Sequence, residues 1–334
     1  MRLASLLASL CLVTATALAQ SSAPAPTTPA AAPKTAKKEE PPQKPPTLAN
    51  VAYGTHERQV LDFWMADSTK PTPVVFHIHG GGWVNGDKAR IGALERYLAA
   101  GISVVSINYR LVTQAIDAGV KPPVQWPLED AARALQFVRS KAKEWNLDKV
   151  RIGATGGSAG ACSSLYLAFH TDFADPKSKD PVARESTRLW CAAVSGAQTT
   201  LDPQQMQEWT PNSKYGGHAF GLMPDTKDLK TRDTQFAAFL AAREQLLPWI
   251  KKYSPYEHVS RDDPQIYLIY ATPPKLGQPE KDPTHTANFG VKLQEKLNTV
   301  GVACELVYPG APHVKHPQIA DYLIAKLQLQ PGKK

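Results

Sequence analysis

Residues 77–83 read His-Ile-His-Gly-Gly-Gly-Trp and residues 156–160 read Gly-Gly-Ser-Ala-Gly. Each follows a short apolar run, Val74–His79 in the first case and Val150–Thr155 in the second. A run of that length ended by glycines reads as a buried strand entering a turn. The second motif fits G-x-S-x-G with Ser158 at its centre, a sharp strand-to-helix turn that lifts a serine hydroxyl above the end of a sheet. The first is a stretch of backbone N–H groups without side chains, suited to facing a developing negative charge.

The rest of the chain continues the alternation. Ile102–Tyr109, Leu189–Val194, Ile266–Tyr270 and Cys304–Tyr308 read as further strands. Helices are expected over 89–100, Leu128–Trp145, Ser158–His170, Phe289–Thr299 and Gln318–Leu327. In Leu128–Trp145 the apolar residues Leu128, Ala131, Leu135 and Val138 fall on one face, and Pro127 suits a first turn. Alternating strands and helices imply an α/β fold: a mainly parallel twisted sheet with helices on both faces, joined by right-handed crossovers. Val51–Met65 is expected to add an antiparallel hairpin at the edge. Residues 198–260 break the rhythm and are expected to form a cap-like insertion bounding a pocket, with Trp209 and Tyr215 in it.

Both parts of the N-terminal region fall outside that fold. Met1-Arg2, an apolar stretch to Leu18 and the small-residue site Ala17-Leu18-Ala19 predict a signal peptide over residues 1–19, and hence a secreted or periplasmic protein. Residues 20–47 hold eight of the 29 prolines and no aromatic residue, so a disordered Pro/Ala/Lys-rich linker is expected before a domain spanning 48–334. No later segment approaches about 18 consecutive apolar residues, so no spanning helix is expected. The formal charge is +8, spread without a dense basic run, which gives no support to nucleic-acid binding. Beyond the leader, Cys162, Cys191 and Cys304 sit in apolar surroundings and read as buried free thiols.

A serine needs a base to take its proton and a third group to orient that base. Chain order places the base after the last strand, which nominates His313, with His316 in reserve. His218, His258 and His285 read as loop residues, and His79 as a brace for the glycine loop. The acid is expected past the preceding strand, where Asp282 is favoured over Glu280, with Asp202 the alternative from a neighbouring strand end. Asp282 precedes a helical pattern, so capping with Pro283 is its competing role. Gly81, Gly82 and Ala159 are the expected oxyanion donors. No pair shows metal-ligand spacing, so neither a metal nor another cofactor is called for.

With these residues in place, the chain over roughly 50–330 resembles the α/β-hydrolase superfamily, in the esterase branch joining hormone-sensitive-lipase-like enzymes to bacterial feruloyl and acetyl-xylan esterases. The carriers are HGGGW at 79–83, Asn108-Tyr109-Arg110, Leu128-Glu129-Asp130-Ala131, GGSAG at 156–160 and YPGAPH at 308–313. The resemblance implies a serine carboxylic-ester hydrolase, with Ser158 as nucleophile and His313 as base. It also implies a structural role for Asp130. Where relatives carry an Asp shortly after Thr272, this chain has Pro273-Pro274-Lys275. Short acyl or carbohydrate-linked acetyl or feruloyl esters, small or polysaccharide-borne, are the substrates implied. The alternatives are an arylformamidase, a lipase-like hydrolase, or a non-catalytic binding protein on the same fold.

Overall fold

The computed structural model describes residues 43–329. The signal peptide expected at 1–19 and the linker expected after it, up to residue 42, lie outside the described residues. The described residues form eight strands and nine α-helices, with three short 3-10 helices. In chain order they are β1 Leu48–Ala52, β2 Val60–Trp64, β3 Thr72–Ile78, α1 Leu94–Ala99, β4 Ser103–Ile107, α2 Val112–Asp117 and α3 Gln125–Ser140. Then come β5 Leu147–Gly157, α4 Ala159–Phe169, β6 Cys191–Ser195, α5 Pro203–Trp209, α6 Phe236–Ala241 and α7 Arg243–Tyr253. The chain closes with β7 Gln265–Ile269, α8 Asn288–Thr299, β8 Cys304–Val307 and α9 Ile319–Leu327.

The strands form one sheet in the order β1-β2-β4-β3-β5-β6-β7-β8. β1 and β2 pair antiparallel, β2 meets β4 antiparallel, and every pairing from β4 to β8 is parallel. The parallel strands are buried on both faces, which is why they are short continuous apolar runs rather than alternating ones. Val74 and Phe76 of β3 enter the larger core with Leu128, Leu135 and Val138 of α3. Val75 points the other way, into a second core with Tyr97 and with Leu323 and Leu327 of α9. Helices thus cover both faces, as the alternation requires.

One expectation changes at the margin. Residues 43–47, assigned to the linker by composition, are tied to the domain. The Gln43 side chain exchanges hydrogen bonds with the backbone of Ile91, the Lys44 carbonyl accepts from Trp64 Nε1 at 2.8 Å, and Thr47 Oγ1 accepts from Met65 N–H at 2.9 Å. Within the insertion, α6 and α7 meet at Ala242. Cys162, Cys191 and Cys304 are free thiols, the first two buried. None of the helices among the described residues is long and apolar enough to cross a membrane.

Candidate active site

The register of the parallel strands brings the site together. Gly157 at the end of β5 lies beside Ser195 of β6, which lies beside Ile269 of β7. Loops leaving these three strand ends therefore meet at one edge of the sheet, where open α/β sheets place their ligands.

Ser158 occupies the turn between β5 and α4 with φ 53° and ψ −121°. Positive φ is strained for a residue with a Cβ and persists where the surroundings impose it. Here the Ser158 N–H donates to the Ser195 carbonyl at 3.0 Å, and its own carbonyl accepts from Cys162 N–H at 3.0 Å. The flanking glycines are required by space. A Cβ on Gly156 would stand 2.4 Å from the Ile78 carbonyl oxygen, and one on Gly160 would stand 2.1 Å from the same atom. Ala159 opens α4, so its N–H has no intrahelical acceptor and lies at the positive end of the helix dipole.

The partner of Ser158 is His285, whose Nε2 is 2.9 Å from Ser158 Oγ. His285 Nδ1 is 2.8 Å from Asp282 Oδ2. A carboxylate can only accept, so Nδ1 carries the proton and Nε2 is free to accept from the serine hydroxyl. Asp282 Oδ1 also accepts from the N–H groups of Thr284 and His285, at 3.2 and 3.3 Å. Partial burial pushes the Asp282 carboxyl up, but the His285 hydrogen bond and charge and these backbone donors outweigh it and hold it below its ordinary value. Asp282 does not cap a helix, because α8 begins six residues later at Asn288.

The loop carrying both residues is fixed from the insertion side. Gln198 Nε2 donates to the Thr284 carbonyl at 2.7 Å. Asn288 Nδ2 donates to the Trp209 carbonyl and Thr210 Oγ1, while Asn288 Oδ1 accepts from Lys275 N–H.

His313, the base expected from chain order, is elsewhere. It is exposed, with φ 53°, and lines a separate cavity beside Cys304, Glu305 and Tyr308 rather than the one that holds Ser158. The cause is Glu305 on the edge strand β8. Its Oε1 accepts from Lys315 N–H and His316 N–H, and its Oε2 lies 2.7 Å from His316 Nδ1. These bonds fold the loop after β8 back along the outer edge of the sheet. They also remove the reserve residue His316. Asp202 caps α5 and holds Arg243 through two bonds of 2.8 and 2.7 Å, so it serves the insertion. Glu280 is held by backbone bonds to Asn212 and makes no bond to His285 among the described residues. His285, which the sequence presents as a plain loop residue, carries one signal of its role. It stands three residues after the favoured acid, on the loop that acid occupies.

The glycine loop is held by its carbonyls. Gly80 O accepts from His79 Nδ1 at 2.8 Å and from the Tyr109 hydroxyl at 3.1 Å. Gly81 O accepts from Val84 and Asn85 N–H, and Gly82 O from His218 Nε2 at 2.9 Å. Gly81 and Gly82 have φ of 96° and 61°, a region open to glycine. In a trans peptide the N–H points opposite the C=O of the preceding residue, so the N–H groups of Gly81 and Gly82 face away from the anchors of Gly80 O and Gly81 O. Neither has a backbone acceptor among the described residues. Burial lowers His79 to about 4, so its ring is neutral and braces the loop rather than titrating near neutrality. Trp83 is fully buried, with Nε1 on Ser163 Oγ, and is a packing residue. Beside Ser158 opens a cavity of about 670 Å³, walled by Gly80, Ile269, Tyr270, Thr272 and His285. Among the described residues no cluster of three or more His, Cys, Asp and Glu side chains is placed to hold a metal ion.

A mainly parallel sheet, a serine on the turn after a central strand and helices on both faces together make the α/β-hydrolase fold. The family model BD-FAE matches residues 61–281, and the chain belongs to that family. The match stops one residue short of Asp282. Esterase LipC of Mycobacterium tuberculosis is 34% identical over 116 residues, covering 33% of this chain and 27% of that protein. The chain spans only 27–32% of the length of LipC, gut esterase 1 of Caenorhabditis elegans and the probable carboxylic ester hydrolase LipM. Two solved structures share the fold. A truncated carbohydrate esterase from gut microbiota matches at TM-score 0.61 and 19% identity, over 85% of this chain and 99% of that one. An acetyl ester-xyloside bifunctional hydrolase from Caldicellulosiruptor lactoaceticus matches at TM-score 0.53 and 24% identity, over 75% and 76%.

Proposed function

We propose that this protein is a carboxylic-ester hydrolase working through an acyl-enzyme on Ser158. The observation that carries the reading is the relay from Asp282 through His285 to Ser158, with bonds of 2.8 and 2.9 Å. Ser158 Oγ forms a bond to the ester carbonyl carbon as His285 Nε2 takes its proton, and the carbonyl electron pair moves onto oxygen. The oxyanion is received by the N–H groups of Gly81, Gly82 and Ala159, each such donor being worth about 2.7–4 kcal/mol of barrier. Collapse breaks the bond to the alcohol, which leaves with the proton from His285. Water then repeats the sequence on the acyl-serine, giving its proton to His285 and releasing the acid, and Ser158 recovers its proton.

Acetyl or feruloyl esters borne on carbohydrate are the substrate class we favour. The family match and the carbohydrate-active structural neighbours support it, as does the open cavity beside Ser158. Export by the leader at residues 1–19 would place the enzyme where such polymers are met.

The test is hydrolysis of p-nitrophenyl acetate and butyrate by the purified protein beside Ser158→Ala, and then of acetylated and feruloylated xylan. Turnover by the wild type alone is expected. Equal rates for both proteins would remove the serine mechanism. N-terminal sequencing of the protein recovered from the periplasm or medium tests export, with Gln20 expected as the first residue.

A further inference from the structure

Three consecutive glycines are the least preorganised backbone a protein can place at a reacting centre, because each has wide conformational freedom. An oxyanion hole works only if its donors are already aimed before charge develops. Residues 80–82 must therefore be fixed from outside. Two of the three carbonyls are held locally: Gly80 O by His79 and Tyr109, Gly81 O by Val84 and Asn85 N–H. The third, Gly82 O, is held by the insertion, through His218 Nε2.

His218 is suited to hold rather than to titrate. It is fully buried, packed against the rings of Trp83 and Tyr215, and burial lowers it to about 4. A carbonyl only accepts, so the neutral ring carries its proton on Nε2. Its Nδ1 is buried without a hydrogen-bond partner among the described residues, with Asp233 Oδ1 at 3.7 Å. Asp233 is itself occupied by Arg232, whose guanidinium lies over Gly82. A buried unpaired nitrogen is a cost that packing alone would remove by an apolar residue. The bond made by the opposite nitrogen is what the histidine supplies.

We propose that His218 is a positioning residue for the oxyanion loop: by donating Nε2–H to the Gly82 carbonyl it locks the Gly82–Trp83 peptide that ends the glycine run, and so restrains the turn from which the preceding Gly82 N–H is aimed. The insertion, none of whose residues lines the cavity beside Ser158, is then part of the catalytic apparatus through this bond. This rests on the ester-hydrolase reading of Ser158.

The experiment compares His218→Phe, which keeps a ring but has no donor, with His218→Gln, whose amide can still donate. Both are made in the full chain and assayed on p-nitrophenyl butyrate beside wild type and Ser158→Ala. For the Phe variant kcat is expected to fall roughly 10–100-fold, less than the roughly 10²–10³ from deleting a donor outright, with KM within about threefold. The Gln variant is expected to recover most of kcat. A Phe variant that is folded and retains wild-type kcat overturns the proposal, as does a Gln variant no better than Phe. Wild type no faster than Ser158→Ala would sink the hydrolase reading instead, a separate result. A second measurement does not depend on the Phe variant folding. The His218 Nε2–H proton resonance of wild type is expected to move when a trifluoromethyl ketone adduct on Ser158 fills the hole, and an unmoved resonance overturns the assignment.

Discussion

His285 reaches Ser158 Oγ with Nε2 and Asp282, three residues earlier, with Nδ1, so the proposed base and acid share one loop after β7. The relay is thereby independent of β8 and of the loop that leaves it. Its geometry depends on how the single loop between β7 and α8 is pinned, chiefly by Gln198 on Thr284 and by Asn288 on Trp209 and Thr210.

The assignment of the base is open to direct test. His285→Ala is expected to lower kcat by about 10⁴-fold or more, the scale seen when a triad base is lost. His313→Ala and His316→Ala should stay within about twofold, because both side chains lie on the folded-back loop beside Glu305. Hydrolysis of p-nitrophenyl butyrate checks all three. A large loss for His313→Ala with His285→Ala active would reverse the assignment.

Asp282 is more exposed than a triad acid enclosed in a core, with 62% of its side chain open to solvent. Water can take over part of its role when it is removed. Asp282→Asn is therefore expected to cost about 10²–10³ in kcat, less than the roughly 10⁴ associated with an enclosed triad acid. Its folded pKa is depressed, so its contribution to stability is present above the unfolded value of about 3.9 and is lost as pH falls through the folded one. Unfolding of wild type and variant should accordingly differ near neutrality and converge as the pH falls through the folded value. A gap that widens on acidification would contradict the sign.

Much of this architecture is legible in the chain. Strands and helices alternate with apolar runs whose period states their burial, and the glycines around Ser158 are dictated by local sterics. Asp282 is where a strand-order rule puts an acid. Sequence points to His313 and not to the histidine that meets Ser158, because chain order says only which loop usually supplies a base. The direction of that loop is set by Glu305, a residue with no local signature. The turn at 282–285 brings an acid and a histidine together through i to i+3 geometry, which is a matter of spacing alone. The bond from His218 to Gly82 joins segments that only the folded insertion brings together.

Gly160 offers a stability prediction that turns on space alone. A Cβ there would meet the backbone oxygens of Ile78 and His79 at 2.1 and 2.7 Å, and backbone cannot yield as a side chain can. Gly160→Ala is expected to destabilise by about 3 kcal/mol or more, at or above the upper end of ordinary overpacking, and to abolish activity. Gly92→Ala, with open space around it, should leave the melting temperature and rate unchanged. Thermal unfolding monitored by circular dichroism decides both, and comparable melting temperatures for the two variants would contradict the crowding argument.

Asp130 is 1% exposed; the Arg110 guanidinium neutralises it through Nε and Nη2, and it also accepts from Arg110 N–H at 2.8 Å and from Gln59 Nε2 at 2.7 Å. The guanidinium also lies over Trp126 at 4.4 Å. Bringing the two charges out of water is costly, so the pair as a whole adds little net stability, but removing one partner strands the other. Arg110→Met is therefore expected to cost about 3–5 kcal/mol, because the Asp130 carboxylate stays buried with no cation. Adding Asp130→Leu to Arg110→Met should restore a large part of that loss, giving a coupling energy of about 1–3 kcal/mol in a double-mutant cycle by denaturant unfolding. In the folded fraction kcat should change only a few-fold, since neither residue reaches Ser158 or His285. If Arg110→Met unfolds within about 1 kcal/mol of wild type, the buried carboxylate has found another partner and the structural role assigned to this pair is wrong.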